Sequence, residues 1–149
     1  MKKSDIIWNV ALLGSLTGYF MLMKLLGLHQ ILGLRYLNLL FQLVIVYMAM
    51  KSYRSHTTHP FSFLDTAMAG VRASVPAVIL FAGFQFVFLR WIDPGFMLIV
   101  KETAPMGDYL SPALAALAIA AEGVLMAFFS AYVGMRLLAA QEHAKFPAL

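Results

Sequence analysis

One acidic residue, Glu122, lies in an apolar stretch that is otherwise uncharged from Ala115 to Val133. A carboxylate near the centre of a membrane-spanning helix costs about 2.5–3.5 kcal/mol on insertion scales, so it requires polar neighbours. Three polar residues fall at similar depths in other apolar stretches, namely Gln85, Gln42 and Thr17. The sequence therefore predicts an intramembrane polar cluster in which the glutamine amides hydrogen-bond the carboxyl group of Glu122.

Two interpretations of this cluster remain open. In the first, Glu122 carries a proton or binds a cation, as ionisable residues do along transport pathways. In the second, Glu122 is a hydrogen-bonding group that holds helices together or faces a partner subunit. A transporter usually also shows inverted repeats and pairs of broken helices, whereas Pro76 and Gly83 are only weak interruptions of the third stretch.

A metal site was the next possibility, because His56 and His59 have the spacing at which two imidazoles share an ion on a helix. Pro60 and the preceding threonines indicate a loop here, and Asp65 is the nearest further ligand. We therefore predict no metal site. The chain has no cysteine, which excludes thiolate nucleophiles and Cys-based metal centres.

Sequence patterns of enzymes are also absent. The chain contains no nucleotide-binding glycine pattern, nucleophile elbow, HExxH sequence or paired-carboxylate pattern. The apolar stretches contain serines, but none has a histidine at a matching depth; these are Ser15, Ser74 and Ser130. We therefore predict a protein that is not an enzyme, with no catalytic residue and no cofactor.

Small residues recur along two of the apolar stretches. Gly14 and Gly18 form a GxxxG pattern, and the last stretch carries a stripe made of Gly123, Ala127, Ser130, Ala131 and Gly134. Small stripes let helix backbones approach closely, which favours helix association in lipid. Packing within one bundle and packing against another subunit are both compatible with this pattern.

The elements that position all these residues are apolar helices. Of 149 residues 62% are hydrophobic and 12% are charged, against about 45–50% and about 25% in soluble domains. Four stretches approach the roughly 20 residues that a helix needs to cross a bilayer. They are Ile7 to Leu26, Leu34 to Met50, Ala73 to Ile92, and Pro112 to Leu137. We predict an all-α polytopic membrane protein, one domain over residues 1–149, with four transmembrane helices in an antiparallel bundle.

The third helix carries two local signals. Ser62 and Asp65 form a pair that resembles a capping box, which predicts that this helix begins well before the membrane. Pro76 lies inside the helix, where it removes one backbone hydrogen bond and favours a kink.

The outer segment from Asp93 to Ser111 predicts a short interfacial helix. Asp93 is the expected N-cap, Pro94 the first helical position, and the helix ends before residue 105. Its apolar run is too short to cross a bilayer, so we expect Phe96 to face lipid and Asp108 to face water.

The positions of Lys and Arg predict the orientation. A cytoplasmic N-terminus places seven basic residues inside, which are Lys2, Lys3, Lys51, Arg54, Arg72, Arg136 and Lys145. Four lie outside, which are Lys24, Arg35, Arg90 and Lys101. This excess predicts that both termini are cytoplasmic. Lys51, Arg54 and Arg72 are candidates for binding anionic lipid. The basic residues form no continuous stripe, so nucleic-acid binding is not predicted.

Several short patterns resemble a family of small bacterial membrane proteins. They are Lys51-Ser52-Tyr53-Arg54, Phe61-Ser62-Phe63, Ala67, Gly70, and Trp91-Ile92-Asp93-Pro94-Gly95-Phe96. Over residues 47–97 they are similar to the family of unknown function DUF4199, which is frequent in Bacteroidetes-type bacteria. The resemblance implies four transmembrane helices and implies no established activity. The family's outer segment is often longer and highly charged, whereas here it is compressed.

The sequence leads to two functional hypotheses. The first is a non-catalytic accessory or scaffold subunit of a bacterial inner-membrane complex, packed through small-residue helix faces against other membrane-protein subunits. The alternative is a small oligomeric transporter or channel-like protein that uses Glu122 for a proton or cation. Membrane lipid is an expected partner in both.

Overall fold

The computed structural model describes residues 3–28, 32–57, 62–104 and 106–145, with the side chains of residues 3, 32–36 and 143–145 outside this description. The described residues form five α-helices and no strand, which confirms the all-α class. The helices are α1 (Lys3–Leu25), α2 (Leu32–Ser55), α3 (Phe63–Val87), α4 (Phe96–Thr103) and α5 (Pro112–Lys145). A π-helical turn over Phe88–Ile92 extends α3, and a 3-10 turn over Gly107–Tyr109 precedes α5.

Among the described residues, three helical segments are long and apolar enough to cross a membrane. They are Ser4–Leu25, Phe63–Ile92 and Pro112–Glu142. They contain most of the first, third and fourth stretches predicted above, and this finding supports a membrane protein. The second predicted stretch, Leu34 to Met50, lies inside α2, which continues to Ser55 and is not among these three segments.

Contacts fix the relative direction of α1 and α3. Near the start of α1, Asn9 accepts a hydrogen bond from the backbone N–H of Ala77. Further along α1, the ring of Phe20 lies 5.1 Å from the ring of Phe88. Because these contacts advance together along both helices, α1 and α3 run in the same direction.

The same reasoning applies to α2 and α5. Gln42 donates a hydrogen bond to the carbonyl oxygen of Gly123, and later in both helices Arg54 binds Glu142. These two helices therefore also run in the same direction. α1 and α2 run in opposite directions, because a short connection joins them and Tyr19 in the second half of α1 contacts Phe41 in the first half of α2.

The N-terminus of α3 confirms the capping prediction. Ser62 is the N-cap, and its hydroxyl oxygen accepts a hydrogen bond from the backbone N–H of Asp65 at 3.3 Å. This bond satisfies one of the N–H groups that the first turn of a helix leaves without a partner. The helix therefore begins at Phe63, well ahead of the apolar stretch that starts at Ala73.

The outer helix begins later than predicted. Gly95 is the N-cap in place of Asp93, because Pro94 and Gly95 form a turn and α4 starts at Phe96. Oδ1 of Asp93 still accepts a hydrogen bond from the backbone N–H of Phe96 at 3.1 Å. The lipid exposure of Phe96 stays a prediction. Its ring is half-buried and lies 5.9 Å from that of Phe20, whereas Leu98 is 65% exposed. The periodicity of α4 explains this, since one face must cover the bundle.

The predicted stripe on α5 lies inside the chain. Ala127 and Ala131 are buried, and a Cβ at Gly134 would lie 3.1 Å from the sulfur of Met50. A Cβ at Gly123 would collide with Val78. These residues let α5 pack closely against α2 and α3.

The GxxxG pattern on α1 behaves differently. Gly14 and Gly18 are exposed, and a Cβ at either position would meet no atom of the described residues within 4 Å. Of the two interpretations of the small-residue patterns, packing inside one bundle holds for α5 and not for these two glycines.

Candidate functional site

A cavity of about 210 Å³ lies between α1, α2, α3 and α5 and extends to α4. Its walls are mainly apolar, and they include Leu16, Phe20, Phe81, Ile99, Val100 and Ile119. Because α4 contributes residues from Phe96 to Thr103, this short helix forms one side of the cavity. The polar side chains of the cavity are therefore surrounded mainly by aliphatic and aromatic side chains.

Three members of the predicted polar cluster line this cavity. Gln42, Gln85 and Glu122 come from α2, α3 and α5, and the two glutamines are buried whereas Glu122 is exposed. Thr17 is half-buried on α1 and is not among the described residues that line the cavity. The sequence therefore identified residues that the fold brings together, while their chemical role stays a prediction.

Gln42 is held in place by a backbone group. Its Nε2 donates to the carbonyl oxygen of Gly123 at 2.9 Å, the residue next to Glu122. In a helix this carbonyl already accepts an intrahelical bond, and the second lone pair of the oxygen is available to Gln42. This contact joins α2 to α5 at the cavity.

Asn38 is a cavity residue that the sequence reasoning missed. It lies on α2 four residues before Gln42, so both amides occupy one face of the helix. Its Oδ1 is buried and has no hydrogen-bond partner among the described residues. The i to i+4 spacing of two amides in an apolar helix was the signal that would have found it.

A second polar cluster, also missed, joins α1 to α3 at Pro76. Proline has no N–H, so the carbonyl of Arg72 loses its usual partner in the helix. The side-chain amide of Asn9 replaces it: Nδ2 donates to the Arg72 carbonyl at 2.9 Å, and Oδ1 accepts from the N–H of Ala77 at 3.0 Å. The same Nδ2 also donates to the carbonyl of Asp5 at 2.8 Å.

The proline is thereby accommodated in α3, which is continuous from Phe63 to Val87. Asn9 is buried, and Asp5 beside it is buried too, with its Oδ2 3.9 Å from the Nε of Arg72. Because unsatisfied backbone groups are costly in lipid, this cluster has a structural role.

At the α4 end, Lys24 joins α1 to the segment before α4. Its Nζ lies 2.8 Å from Oδ2 of Asp93 and 4.4 Å from the centre of the Phe88 ring. The hydrogen bond from Lys24 holds the pKa of Asp93 below its usual value, and the backbone N–H of Phe96 acts in the same direction. These contacts fix the point from which α4 leaves the bundle.

We expect this contact to make stability depend on pH in the acid range. The pKa of Asp93 is lower in the folded protein than its ordinary value of 3.8, so its contribution is present above that value and is lost as the pH falls through the folded pKa. Asp93→Asn should lower the melting temperature slightly at pH 7 and leave it equal to wild type at strongly acid pH. Melting curves in detergent, recorded from pH 7 down to strongly acid pH, measure the difference in melting temperature between the variant and wild type. Asp108→Asn is the control, and an Asp93 effect that does not change with pH would contradict the prediction.

At the opposite end, the three candidates for lipid binding differ in their surroundings. Arg54 binds Glu142 at 2.8 Å and its side chain is only 15% exposed, whereas Lys51 is exposed. Arg72 lies near Asp5, as described above. Lys51 and Arg72 are both exposed and therefore accessible to a headgroup, whereas Arg54 is largely covered.

The histidine pair is only partly described. Nδ1 of His56 lies 2.8 Å from the carbonyl oxygen of Ser52, so this ring is bound to its own helix. His59 and Pro60 lie outside the described residues.

With this geometry established, comparison with known proteins gives one result. Residues 9–109 match the model of a protein family of unknown function, DUF4199. The chain belongs to this family. No curated protein and no solved structure shows a significant match.

The family match extends from Asn9 in α1 to the 3-10 turn before α5. It is wider than residues 47–97, over which the resemblance was recognised. It includes Asn38, Gln42 and Gln85 of the cavity, whereas Glu122 and the rest of α5 lie beyond it. The DUF4199 region thus contains the amide side chains of the cavity and the residues of α4. The remaining wall of the cavity is formed by α5.

Proposed function

We propose that α1, α2, α3 and α5 all span the bilayer as an antiparallel bundle. α2 has 24 residues, which corresponds to about 36 Å at the usual rise of 1.5 Å per residue. It lies beside α5 along much of its length, from Gln42 to Arg54. The shared directions of α1 with α3 and of α2 with α5 support four successive crossings.

The arrangement predicts that both termini lie in the cytoplasm. The reason is that more Lys and Arg residues lie at the helix ends on the side of the bundle opposite α4, and such an excess marks the cytoplasmic side. Reporter fusions at Leu149 and at Lys101 should report opposite sides of the membrane. Reporters on the same side would contradict four crossings, and a periplasmic C-terminus would contradict the orientation.

For the function, we propose a non-catalytic accessory or scaffold subunit of a bacterial inner-membrane complex. The supporting observation is the exposed face of α1. Gly14 and Gly18 leave this face open, and Ile7 and Val10 on the same helix are each 64% exposed. A flat, small-residue face of this kind is suited to close packing against a transmembrane helix of a larger subunit.

The test is copurification of a stoichiometric larger partner in mild detergent with variants that fill this face. Gly14→Leu and Gly18→Leu should each abolish the association because a side chain would separate the two backbones. Gly83→Leu is the matched control, since Gly83 is also an exposed helical glycine with open space around it. The proposal would be contradicted if the partner still copurified with both α1 variants, or if the Gly83→Leu control lost it equally.

The second candidate is a small oligomeric transporter that uses Glu122 for a proton or cation. The observation that favours it is the position of Glu122 on the same cavity as Gln42 and Gln85. In this case the protein should purify as a homo-oligomer without a larger partner.

Two substitutions of Glu122 distinguish these functions. For an accessory subunit, Glu122→Gln should keep both stability and assembly because the amide has nearly the same shape and polar reach. Glu122→Leu should lower the free energy of unfolding by about 0.5–2 kcal/mol. For a transporter, both variants should abolish flux in reconstituted vesicles. The measurements are detergent stability and pH-dependent flux side by side. Loss of flux in a stable Gln variant would contradict the accessory-subunit proposal.

A further inference from the structure

The cavity beside α4 combines an apolar interior with amides from two helices. Asn38 and Gln42 come from α2 and Gln85 from α3. Within the part of the chain that the structure describes, the Oδ1 of Asn38 is buried without a hydrogen-bond partner, which is unfavourable for a polar atom in an apolar environment. A hydrocarbon occupant would leave this oxygen without a partner, whereas a molecule with a polar end that donates a hydrogen bond would satisfy it.

The size of the cavity limits the occupant. A cavity of about 150 Å³ holds benzene, which has six non-hydrogen atoms, so 210 Å³ corresponds to about eight or nine such atoms. The walls around them are aliphatic and aromatic, including Leu16, Phe81 and Ile119. Most of the enclosed atoms must therefore be apolar, with one polar group at the amides.

A hydroxyl group is the polar group that fits best. It donates and accepts at once, so it satisfies a primary amide in either orientation. An added charge would have to leave water for a largely apolar site, at a cost that amides offset poorly. Glu122 also lines the cavity, but its carboxyl group would offset that cost only for a cation. A neutral alcohol reaches the cavity from lipid without that cost.

We propose that this cavity binds a neutral lipophilic alcohol, with the hydroxyl group at Asn38 and Gln42 and about eight carbons between α4 and the bundle. Recognition requires the amides and does not use Glu122. Binding of this kind is also independent of any partner subunit, so it goes beyond the function proposed above.

The test uses a photoreactive diazirine analogue of octanol with the purified full chain in nanodiscs. After irradiation, peptide mass spectrometry should locate adducts on cavity residues of α2 and α4, such as Leu39 and Val100. 1-Octanol should compete at about 3- to 10-fold lower concentration than 1-methoxyheptane, which has the same number of non-hydrogen atoms and no hydroxyl donor. This comparison needs no variant.

Two variants complete the test. Asn38→Leu should reduce labelling of the cavity by about 3- to 10-fold, because it removes the amide. Thr17→Val is the control, since Thr17 does not line the described cavity, and it should label like wild type. Adducts confined to lipid-facing residues such as Leu98, or equal competition by the two compounds, would show partitioning only and would overturn the proposal. Equal labelling of the Asn38→Leu variant and wild type would overturn it too.

Discussion

Replacement of Gly123 by alanine should destabilise the protein by about 1–3 kcal/mol, as expected for overpacking of a close helix contact. A Cβ at this position would collide with Cγ1 of Val78 and lie 3.3 Å from its Cγ2. Valine is branched at Cβ and has few alternative rotamers, so it cannot move aside easily. Relief would require α5 to move away from α3, which would also strain the hydrogen bond from Gln42 to the Gly123 carbonyl.

A double-mutant cycle measures this collision directly. Val78→Ala removes both atoms that the new methyl group would meet, so Gly123→Ala should cost much less in the Val78→Ala background than in wild type. The free energies of unfolding are measured by SDS titration in mixed micelles. Gly83→Ala is the control, because a Cβ there would meet nothing within 4 Å. Equal costs in the two backgrounds would show that the contact with Val78 does not limit packing.

Replacement of Asn9 by leucine should destabilise the protein by about 2–4 kcal/mol. It leaves two backbone groups of α3 without partners, the carbonyl of Arg72 and the N–H of Ala77. Each unsatisfied buried group costs about 1–3 kcal/mol, although membrane measurements of single hydrogen bonds average about 0.6 kcal/mol. Both groups belong to the turn that Pro76 interrupts.

Removal of the proline should therefore rescue this variant. In Pro76→Ala the new N–H of residue 76 can bond to the Arg72 carbonyl within the helix, and that of Ala77 can return to residue 73. Asn9→Leu should then cost less in the Pro76→Ala background than in wild type, measured by the same titration. Thr17→Val, a half-buried polar substitution on the same helix, is the control. An equal cost of Asn9→Leu in both backgrounds would contradict the role assigned to Asn9.

Local signals in the sequence determined most of the secondary structure. The start of α3 at Ser62 and the predicted apolar stretches depend on neighbouring residues and on the length that lipid demands, so they can be read from the chain. Local signals predicted the connection between α3 and α4 less accurately. The predicted helix at Pro94 begins at Phe96, because Pro94 and Gly95 form a turn first and Gly95 is the N-cap.

The depth of a residue along its helix was also determined by the sequence, and this placed Gln42, Gln85 and Glu122 at one level. Depth does not specify rotation about the helix axis, and only packing decided that these three residues line the cavity and Thr17 does not. The same limit applies to the two small-residue patterns. Equal spacing predicts a stripe, but the neighbours of the stripe decide whether it is buried, as for Ala127, or open, as for Gly14.

The tertiary structure alone decided the pairing of Asn9 with Pro76. These residues are far apart in the chain, and neither is unusual in its own helix. An asparagine side chain carries a donor and an acceptor that match the carbonyl and the N–H exposed by a proline, but this complementarity appears only when α1 lies alongside α3 in the correct register. Sequence periodicity describes one helix at a time, whereas the free energy of this contact depends on how two helices pack together.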